Sequence, residues 1–329
     1  MMPQGEIRRL LPELRSSNFD LVHIQTPFIA HYAGIELARA LDVPVVETYH
    51  TYFEEYLHHY VPLMPRRLMR FVARRFTCRQ CNQIDHLIAP SRAMRDALVE
   101  YEVRTPISII PTGLEADRFE QADGEAFRRR FCIAAQRPVV VHVGRIAHEK
   151  NIDFLLRMMV NVARQVPDAL LLVAGEGPAL AHCKRLAVEL GLQEHTLFVG
   201  YLDRKHELLE CYRAGDLFAF ASRTETQGLV LLEAMAQGVP VVSTAHMGTL
   251  DILGPGHGCV VVEESEPDFA AAVVDLLRDG VRREALGGEA RAYAATWSAR
   301  EMATRLIDLY RTTLADSADA ALAPAERES

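Results

Sequence analysis

The chain of 329 residues is 49% hydrophobic and 24% charged, which is enough apolar material for two domains with buried cores. Its formal net charge of -8 argues against nucleic acid as the main partner, because phosphate backbones are bound by surplus lysine and arginine. No apolar run approaches the ~20 residues that a membrane-spanning helix needs, and six scattered cysteines fit a reducing cytoplasm in which disulfides are not expected.

The first half of the chain alternates short β-branched runs with helical patterns. A helix is predicted for EIRRLLPELRSS, and it is followed by the predicted strands FDLVHIQ, VPVVET, DHLIAP and PISIIP. The helices predicted between these strands start near Ile29, in the arginine-rich stretch after residue 65, and at Ser91. This alternation is typical of parallel βαβ units and predicts an α/β fold.

The second half repeats the pattern with six candidate strands, RPVVVHVG, DALLLVAG, HTLFVG, DLFAFAS, VPVVST and GCVVV. They are apolar throughout, as strands buried on both faces are. A polar connector precedes them, so we place the domain boundary near Arg137 and predict domains at 1–136 and 137–314. The small, polar residues of 315–329 predict a disordered tail.

Ligands of open α/β sheets bind at the carboxyl ends of the strands, so the loops at those ends are the first candidates for a site. The loop RIAHEKN places Arg145 and Lys150 beside Gly144, just before a helix from about Ile152. Two cations near the amino terminus of a helix attract a phosphate group. The sequence therefore predicts a phosphate site in this loop.

The next strand leads into GEGP, in which Gly175 and Gly177 would let the backbone approach a ligand closely. A glycine pair that only makes a turn is an equally good interpretation of this loop taken by itself.

A third loop, SRTETQGLVLLE, carries two glutamates eight positions apart. Thr224 and Gln227 form a T-x-x-Q pattern that can cap a helix, which places Glu225 just before it and Glu233 about two turns along. Eight residues bring a helical side chain to within about 80° of its starting face, so both carboxylates can border one pocket and accept sugar or ribose hydroxyls. The alternative is a helix-start acid and a solvated acid. Because apolar residues surround Glu233, a buried carboxylate there would cost several kcal/mol without a partner, which favours a ligand.

These segments together resemble the retaining glycosyltransferases of family four. E-T-Q-G-L-V-L-L-E is similar to the E-x7-E motif of that family, GRIAHEKN to its phosphate-binding segment, GEGP to its glycine loop and SIIPTGLEADRF to its interdomain passage. The resemblance runs from about residue 20 to residue 310. It implies the GT-B fold, in which two Rossmann-like domains face each other across a cleft.

The resemblance also implies roles for the site residues. Arg145 and Lys150 would hold the diphosphate of a nucleotide sugar, with UDP favoured over GDP, Glu233 would bind the ribose, and Glu225 with the Gly228 backbone would bind the transferred sugar. The family uses no D-x-D metal motif, and we expect no metal or other cofactor. Transfer with retention of configuration is expected to proceed by same-face attack, without a protein nucleophile.

The family has a histidine in its first domain close to the donor sugar and acceptor. VVETYHTY places His50 at the matching position, past the carboxyl end of a predicted strand. We therefore expect His50 to be catalytic, although a lone histidine is more often structural.

The first domain departs from the family pattern because the chain starts on a helix. Only four first-domain strands are found, and the glycine loop that normally opens the domain is absent from these residues. We therefore expect an incomplete first domain and leave the activity of this chain open. An inactive nucleotide-binding fragment and a sugar-nucleotide epimerase of the same architecture are the alternatives.

The acceptor side resembles the branch of the family that glucosylates diacylglycerol. TETQGL and the tyrosine-rich segment YHTYFEEYLHHYVP carry this likeness. PRRLMRFVARRFTCR adds six arginines and no acid, and a helical projection groups Arg66, Arg67, Arg70 and Arg74 opposite Leu68, Met69, Val72 and Phe76. Such a helix fits the surface of an anionic membrane, so we expect a cytoplasmic protein that is peripheral on the inner face and acts on a membrane lipid. An ordinary amphipathic helix with a solvated arginine face is the alternative.

Overall fold

The structure, a computed structural model, describes residues 4–50 and 66–322. The chain divides into two compact units, one of Met1–Pro111 with Met302–Ser329 and one of Thr112–Glu301. Most of the tyrosine-rich segment expected near the acceptor lies outside the described residues.

The described part of the first unit contains a four-stranded parallel sheet in the order β1-β2-β3-β4. Its elements before Pro111 are α1 (Gln4–Ser16), β1 (Val22–Ile24), α2 (Ile29–Leu41), β2 (Val45–Thr48), α3 (Arg66–Cys81), β3 (His86–Ala89), α4 (Arg92–Glu100) and β4 (Ile107–Ile109). All four predicted strands are confirmed.

The second unit has a six-stranded parallel sheet in the order β10-β9-β8-β5-β6-β7. Its elements are α5 (Gly124–Arg130), β5 (Val139–Val143), α6 (Ile152–Gln165), β6 (Leu170–Ala174), α7 (Leu180–Glu189), β7 (Thr196–Gly200), α8 (Glu207–Arg213), β8 (Leu217–Phe220), α9 (Leu229–Ala236), β9 (Val241–Ser243), α10 (Thr249–Leu253), β10 (Cys259–Val261), α11 (Glu266–Arg278) and α12 (Gly280–Ala295). The six predicted strands are confirmed. Every residue of β5, β6 and β8 is buried, because helices cover both faces of the sheet.

The boundary between the units lies before the polar connector, not near Arg137 as composition indicated. The reason is that α5 packs against α8 and buries Phe127 completely in the core of the second unit. The contact between α5 and α8 is so close that a Cβ at Gly124 would lie 2.4 Å from the backbone of Arg213. A charged connector can therefore belong to the domain that follows it.

The carboxyl-terminal helix α13 (Ala299–Leu322) corrects the prediction of a disordered tail from residue 315. The sequence ADSADAAL is small and polar, but its alanines have the highest helix propensity of any residue and extend the preceding helix. Residues from Met302 onward return to the first unit, where Leu309 packs with Val46 and Ile88.

The buried face of helix α3 differs from the face that its helical projection predicted. Met69 and Ala73 are buried, whereas Leu68 and Val72, which we placed on the apolar side with Met69, are about half exposed. The expected grouping is therefore wrong, because the inward stripe contains small and polar residues, Ala73, Thr77 and Gln80, in addition to Met69. Among the helices that the structure describes, none combines the length and the apolar character needed to cross a bilayer.

Candidate functional site

The order of the six strands places the switch point of the sheet between β5 and β8. From β5 the chain continues to β6 on one side, and from β8 it continues to β9 on the other side, and the carboxyl ends of two such strands form a crevice for ligands. Lys150 lies in the turn His148–Lys150 after β5, and Glu225 lies in the loop after β8. The fold therefore brings together two of the predicted site residues.

Lys150 and Glu225 form a direct ion pair between Nζ and Oε1. Both side chains are mostly buried, with 14% and 16% of their surface exposed. A second pair joins Arg145 to Glu149, four residues along the same loop, and the Arg145 side chain is 52% exposed. Each cation predicted to hold a diphosphate therefore has a carboxylate partner within the protein.

The glycines of GEGP allow two loops to pack backbone against backbone. Amide hydrogen bonds join Gly144 N to Ala174 O at 3.1 Å and Ile146 N to Glu176 O at 2.9 Å. A Cβ at Gly175 would lie 1.9 Å from the carbonyl oxygen of Gly144, and one at Gly177 would lie 2.3 Å from that of Ile146. The glycines therefore hold the loop that carries Arg145 and Lys150 in position, which neither sequence interpretation anticipated.

Glu233 is buried and has two protein partners. Its side chain is 3% exposed, Tyr212 donates its hydroxyl to Oε2 at 2.8 Å, and Arg204 donates Nη2 to Oε1 at 3.0 Å. Burial, and then the Glu233 carboxylate, raises the pKa of Tyr212, so that its hydroxyl stays protonated. The protein thus supplies the partners that the sequence argument assigned to a ligand, while the exposed Arg204 leaves one carboxylate oxygen on the solvent side.

The expected T-x-x-Q cap is wrong. Helix α9 begins at Leu229, and its N-cap is Gly228 at φ 98°, with no side-chain cap. The Gln227 side chain instead pairs with the backbone of Thr112, donating to its carbonyl at 2.8 Å and accepting from its amide at 2.9 Å. A tertiary contact of Gln227 therefore takes the place of the local side-chain cap at the amino end of α9.

A cavity of about 370 Å³ opens at this edge of the sheet, wholly within the second unit. Four of the predicted residues line it, Gly144, Arg145, Gly175 and Glu233, and the rest of the lining includes apolar Val143, Leu202, Leu208 and Val230. Lys150, Glu225, Gly177 and Gly228 are not part of its lining.

Sequence reasoning missed two residues of this cavity, Tyr201 and Arg204. Tyr201 is 68% exposed although it is a large aromatic residue. The signal was present, since both follow β7 at its carboxyl end, directly after Gly200 and at the charged run DRKHE. An exposed ring beside an apolar cavity suits contact with a flat ligand.

His142, also missed, is fully buried on β5 near the ion pair. Its Nδ1 lies 3.1 Å from the carbonyl oxygen of Ala219, and Nε2 has no hydrogen-bond partner within the described part of the chain. Burial lowers the pKa of His142 to about 4, with the Ala219 carbonyl raising it and the charges of Lys150 and Glu225 acting in opposite directions. The ring is therefore neutral at pH 7.

We expect His142 to make stability depend on pH between about 6.5 and 4. Because its folded pKa is depressed, the unfolded chain takes up the proton first, and stability falls as pH drops through this window. The loss from this group should be about 1.4 kcal/mol per pH unit. Urea unfolding at pH 7 and pH 5 measures it, and His142→Phe should flatten the slope. The exposed-site change His257→Phe should keep the wild-type slope; equal slopes for all three proteins would contradict this account.

His50 belongs to the other compact unit, at the carboxyl end of β2. Its Nε2 lies 3.1 Å from Oε1 of Gln25. Nearby, His23 contacts Thr48 Oγ1 at 2.7 Å and the Tyr310 hydroxyl at 2.5 Å. Desolvation lowers the pKa of both imidazoles, that of His23 to about 4, so a neutral polar cluster surrounds His50.

Two parts of the chain match the models of known protein families. Residues 123–293 match the family model of Glycosyl transferases group 1, and residues 3–118 match that of Glycosyltransferase Family 4. Anabaena Alr3699/HepE, solved in complex with UDP and glucose, superposes with a TM-score of 0.76 at 18% identity, covering 94% of this chain and 83% of the other. The predicted GT-B fold is confirmed.

Two curated relatives show how far the sequence likeness extends. The alpha-monoglucosyldiacylglycerol synthase of Streptococcus pneumoniae is 35% identical over 231 residues, which are 68% of this chain and 51% of the relative. A GDP-mannose-dependent alpha-(1-6)-phosphatidylinositol monomannoside mannosyltransferase of Mycolicibacterium smegmatis is 35% identical over 210 residues, 61% of this chain and 55% of the relative. The chain spans about half the length of the curated relatives it matches.

Proposed function

Because the chain belongs to the group 1 glycosyl transferases, with a Glycosyltransferase Family 4 domain before the group 1 segment, we propose that it transfers a hexose from a nucleoside diphosphate sugar to an acceptor hydroxyl with retention of configuration. The observation that carries the proposal is the pairing of Lys150 with Glu225 at the switch point of the second sheet. We propose that no metal takes part and that Arg145 and Lys150 supply the positive charge.

The donor is proposed to lie along the carboxyl edge of this sheet. The ribose hydroxyls would bind Glu233, whose carboxylate is held by Tyr212 on its buried side. The diphosphate would bind Arg145 and Lys150, and the hexose would bind Glu225. The apolar lining of the 370 Å³ cavity, with Tyr201 on it, supports a place for the base, for which uracil is our choice over guanine.

The proposed chemistry depends on stabilising the negative charge of the leaving diphosphate. When the bond between the sugar and the diphosphate breaks, negative charge develops on the departing phosphate oxygens. Lys150, Arg145 and the amide groups at the start of α6 lie in the loop where that charge would appear, and such fixed groups stabilise a transition state. Retention follows if the acceptor oxygen approaches from the face that the diphosphate leaves. His50 is proposed to contact the sugar or the acceptor.

We propose a membrane lipid as the acceptor, with diacylglycerol as the preferred candidate. The names of the relatives, an alpha-monoglucosyldiacylglycerol synthase and a phosphatidylinositol monomannoside mannosyltransferase, support a lipid. The arginine-rich helix α3 supports an anionic membrane surface as the place of reaction, because each basic residue near such a surface contributes about 1 kcal/mol of attraction.

The test is transfer from labelled UDP-glucose to diacylglycerol in phosphatidylglycerol vesicles, in EDTA, with GDP-mannose as the competing donor. A lipid product whose anomeric configuration, read by NMR, matches that of the donor is the expected result. Calorimetry with UDP and GDP checks the donor separately. Folded protein that binds neither nucleotide would remove the donor proposal, and an inverted product would remove retention.

A further inference from the structure

A second cavity of the second unit lies at the edge of the sheet opposite the proposed donor site. It has a volume of about 510 Å³, and its lining includes Asp216 and Pro240, the residues just before β8 and β9. Because all six strands run parallel, the amino ends of these strands lie away from the carboxyl ends that lead to Glu225. The cavity is called the arginine cavity below because three arginines line it, Arg213, Arg283 and Arg291.

The lining of the arginine cavity is polar and leaves much backbone uncovered. Besides the arginines it contains two acids, one glutamine, one proline and five glycines, and none of these lining residues has a large apolar side chain. Such a lining suits a small charged molecule with hydrogen-bonding groups, whereas the donor-side cavity has apolar residues such as Leu202 and Val230. The two cavities therefore differ in the chemistry of the ligand that they accept.

Two consecutive glycines of α12 line the arginine cavity. Gly287 is required by packing, because a Cβ there would lie 2.4 Å from the carbonyl oxygen of Gly238. Packing does not require Gly288, since a Cβ at that residue would stand in open space, with no contact to the described chain within 4 Å. A glycine inside a helix destabilises the helix relative to alanine, so Gly288 is unfavourable there without a packing reason. Its bare backbone would let a ligand approach closely.

Arginines flank these glycines on α12. Arg283 and Arg291 lie four residues before and four residues after Gly287, so the three residues share one face of the helix. Arg213, the last residue of α8, lines the cavity from a second helix. Two helices thus supply three guanidinium groups to one cavity of the second unit.

One of the three arginines is neutralised within the protein. Asp216 pairs its Oδ1 with Nη2 of Arg283 at 3.5 Å and its Oδ2 with Nη2 of Arg128 at 3.2 Å. Nη1 of Arg283 also donates to the carbonyl oxygens of Leu276 and Leu277, at 2.8 and 3.1 Å. Asp216 and Arg283 therefore serve the fold, and we assign neither of them to a ligand.

The other two arginines keep their charge available. Arg291 donates Nε to the carbonyl oxygen of Ala236 at 3.2 Å, and within the described residues neither Arg291 nor Arg213 has a carboxylate partner. Both arginines are exposed, so a ligand can reach them. Glu284, which lines the same cavity one turn before Gly288, likewise has no cation partner in the part of the chain that the structure describes. The arginine cavity thus offers a ligand two cations and one carboxylate.

We propose that the arginine cavity binds a soluble phosphate monoester of a small polyol, with the phosphate on Arg213 and Arg291 and a hydroxyl group on Glu284. Guanidinium groups match the oxygen atoms of a phosphate with paired N–H donors. A carboxylate repels phosphate but accepts hydrogen bonds from hydroxyl groups, so Glu284 favours a hydroxylated ester over free phosphate. The bare backbone at Gly288 leaves room for the polyol.

Calorimetry on the full chain tests the site with three probes, glycerol 3-phosphate, inorganic phosphate and glycerol. Glycerol 3-phosphate should bind the most tightly, and Arg213→Gln or Arg291→Gln should each weaken its binding about tenfold or more. Arg282→Gln is the matched control, since Arg282 is an exposed arginine of α12 that does not line the cavity. Absence of binding, or wild-type affinity in both cavity variants, would overturn the proposal. Inorganic phosphate that binds as tightly as the ester would overturn the choice of a polyol.

A further variant fills the cavity without changing a charge. Gly288→Leu adds a side chain where open space is available, so the urea midpoint of the variant should not fall below that of the wild type. Glycerol 3-phosphate should nevertheless bind about tenfold more weakly or less, because the leucine side chain occupies its place. Wild-type affinity in folded Gly288→Leu protein would contradict the site.

Two more measurements separate this site from other phosphate sites. Excess UDP should leave the affinity for glycerol 3-phosphate unchanged, because the donor is proposed to lie at the opposite edge of the sheet; displacement by UDP would overturn the proposal. Phosphatidylglycerol vesicles present the same phosphate chemistry on a lipid. Weaker vesicle binding of both arginine variants, with unchanged binding of glycerol 3-phosphate, would assign the cavity to a lipid and overturn the soluble ligand. None of these readouts needs sugar transfer, so failure of this inference and failure of the proposed function are distinguishable.

Discussion

Replacing Lys150 with alanine is expected to lower kcat/KM for sugar transfer by about 10² to 10³-fold, with most of the loss in kcat. We proposed that this ammonium group acts on the departing diphosphate, and its side chain is only 14% exposed, so water would screen its charge little. The substitution also leaves the Glu225 carboxylate without its ion-pair partner, in a position where it would repel the donor phosphates.

The measurement is steady-state transfer from UDP-glucose, with thermal unfolding as a check on the fold. Lys184→Ala is the matched control, since Lys184 is an exposed lysine of α7 that does not line the cavity. It should transfer sugar like the wild type. If both variants lose activity equally, or if Lys150→Ala changes only KM by a small factor, Lys150 does not stabilise the departing charge.

Of the glycine-to-alanine substitutions in the second unit, Gly175→Ala should destabilise the protein most. The added Cβ would lie 1.9 Å from the carbonyl oxygen of Gly144, and the backbone of Gly175 has a φ of +134°. Neither the strain nor the clash can be relieved by a side-chain rotation, because both partners are backbone. We expect a loss of about 3 kcal/mol or more in the free energy of unfolding, together with weaker UDP binding as the Gly144 loop shifts.

The variant Gly191→Ala separates the effect of backbone strain from the effect of the clash with Gly144. Gly191 also has a positive φ, +72°, but a Cβ there would meet no atom within 4 Å. It should therefore cost only about 1 kcal/mol, from backbone strain alone, and leave UDP affinity unchanged. Urea unfolding and calorimetry give both quantities. Equal losses for the two variants would show that the contact with Gly144 is unimportant.

The strands and the loops at their ends could be predicted from the sequence because the information is local. Ten short apolar runs became ten strands, and the E-x7-E segment placed Glu225 and Glu233 in the loop and helix after β8. What the sequence did not reveal depends on contacts between distant residues. Tyr212 lies 21 residues before the carboxylate it supports, and Gln227 pairs with a backbone 115 residues away.

The buried face of α3 also could not be predicted from the sequence. Its composition predicted an amphipathic helix, and it is one, but the periodicity of arginines and hydrophobic residues did not reveal which stripe would be buried. The stripe that packs inward contains Thr77 and Gln80, which no hydrophobicity argument would select. Contacts within the first unit, such as the one between Thr77 Oγ1 and the Tyr49 hydroxyl at 3.2 Å, decided the orientation, and Leu68 and Val72 were left in solvent.

The return of α13 to the first unit has a consequence for biosynthesis. Leu309 completes a core with Val46 and Ile88, and Tyr310 bonds to His23, so the sheet made first lacks part of its packing until residues after 302 have been translated. The second unit uses only residues 112–301 and has all of its own contacts earlier. Although nascent domains generally fold in order from the amino terminus, we expect the second unit to reach its native state on the ribosome before the first.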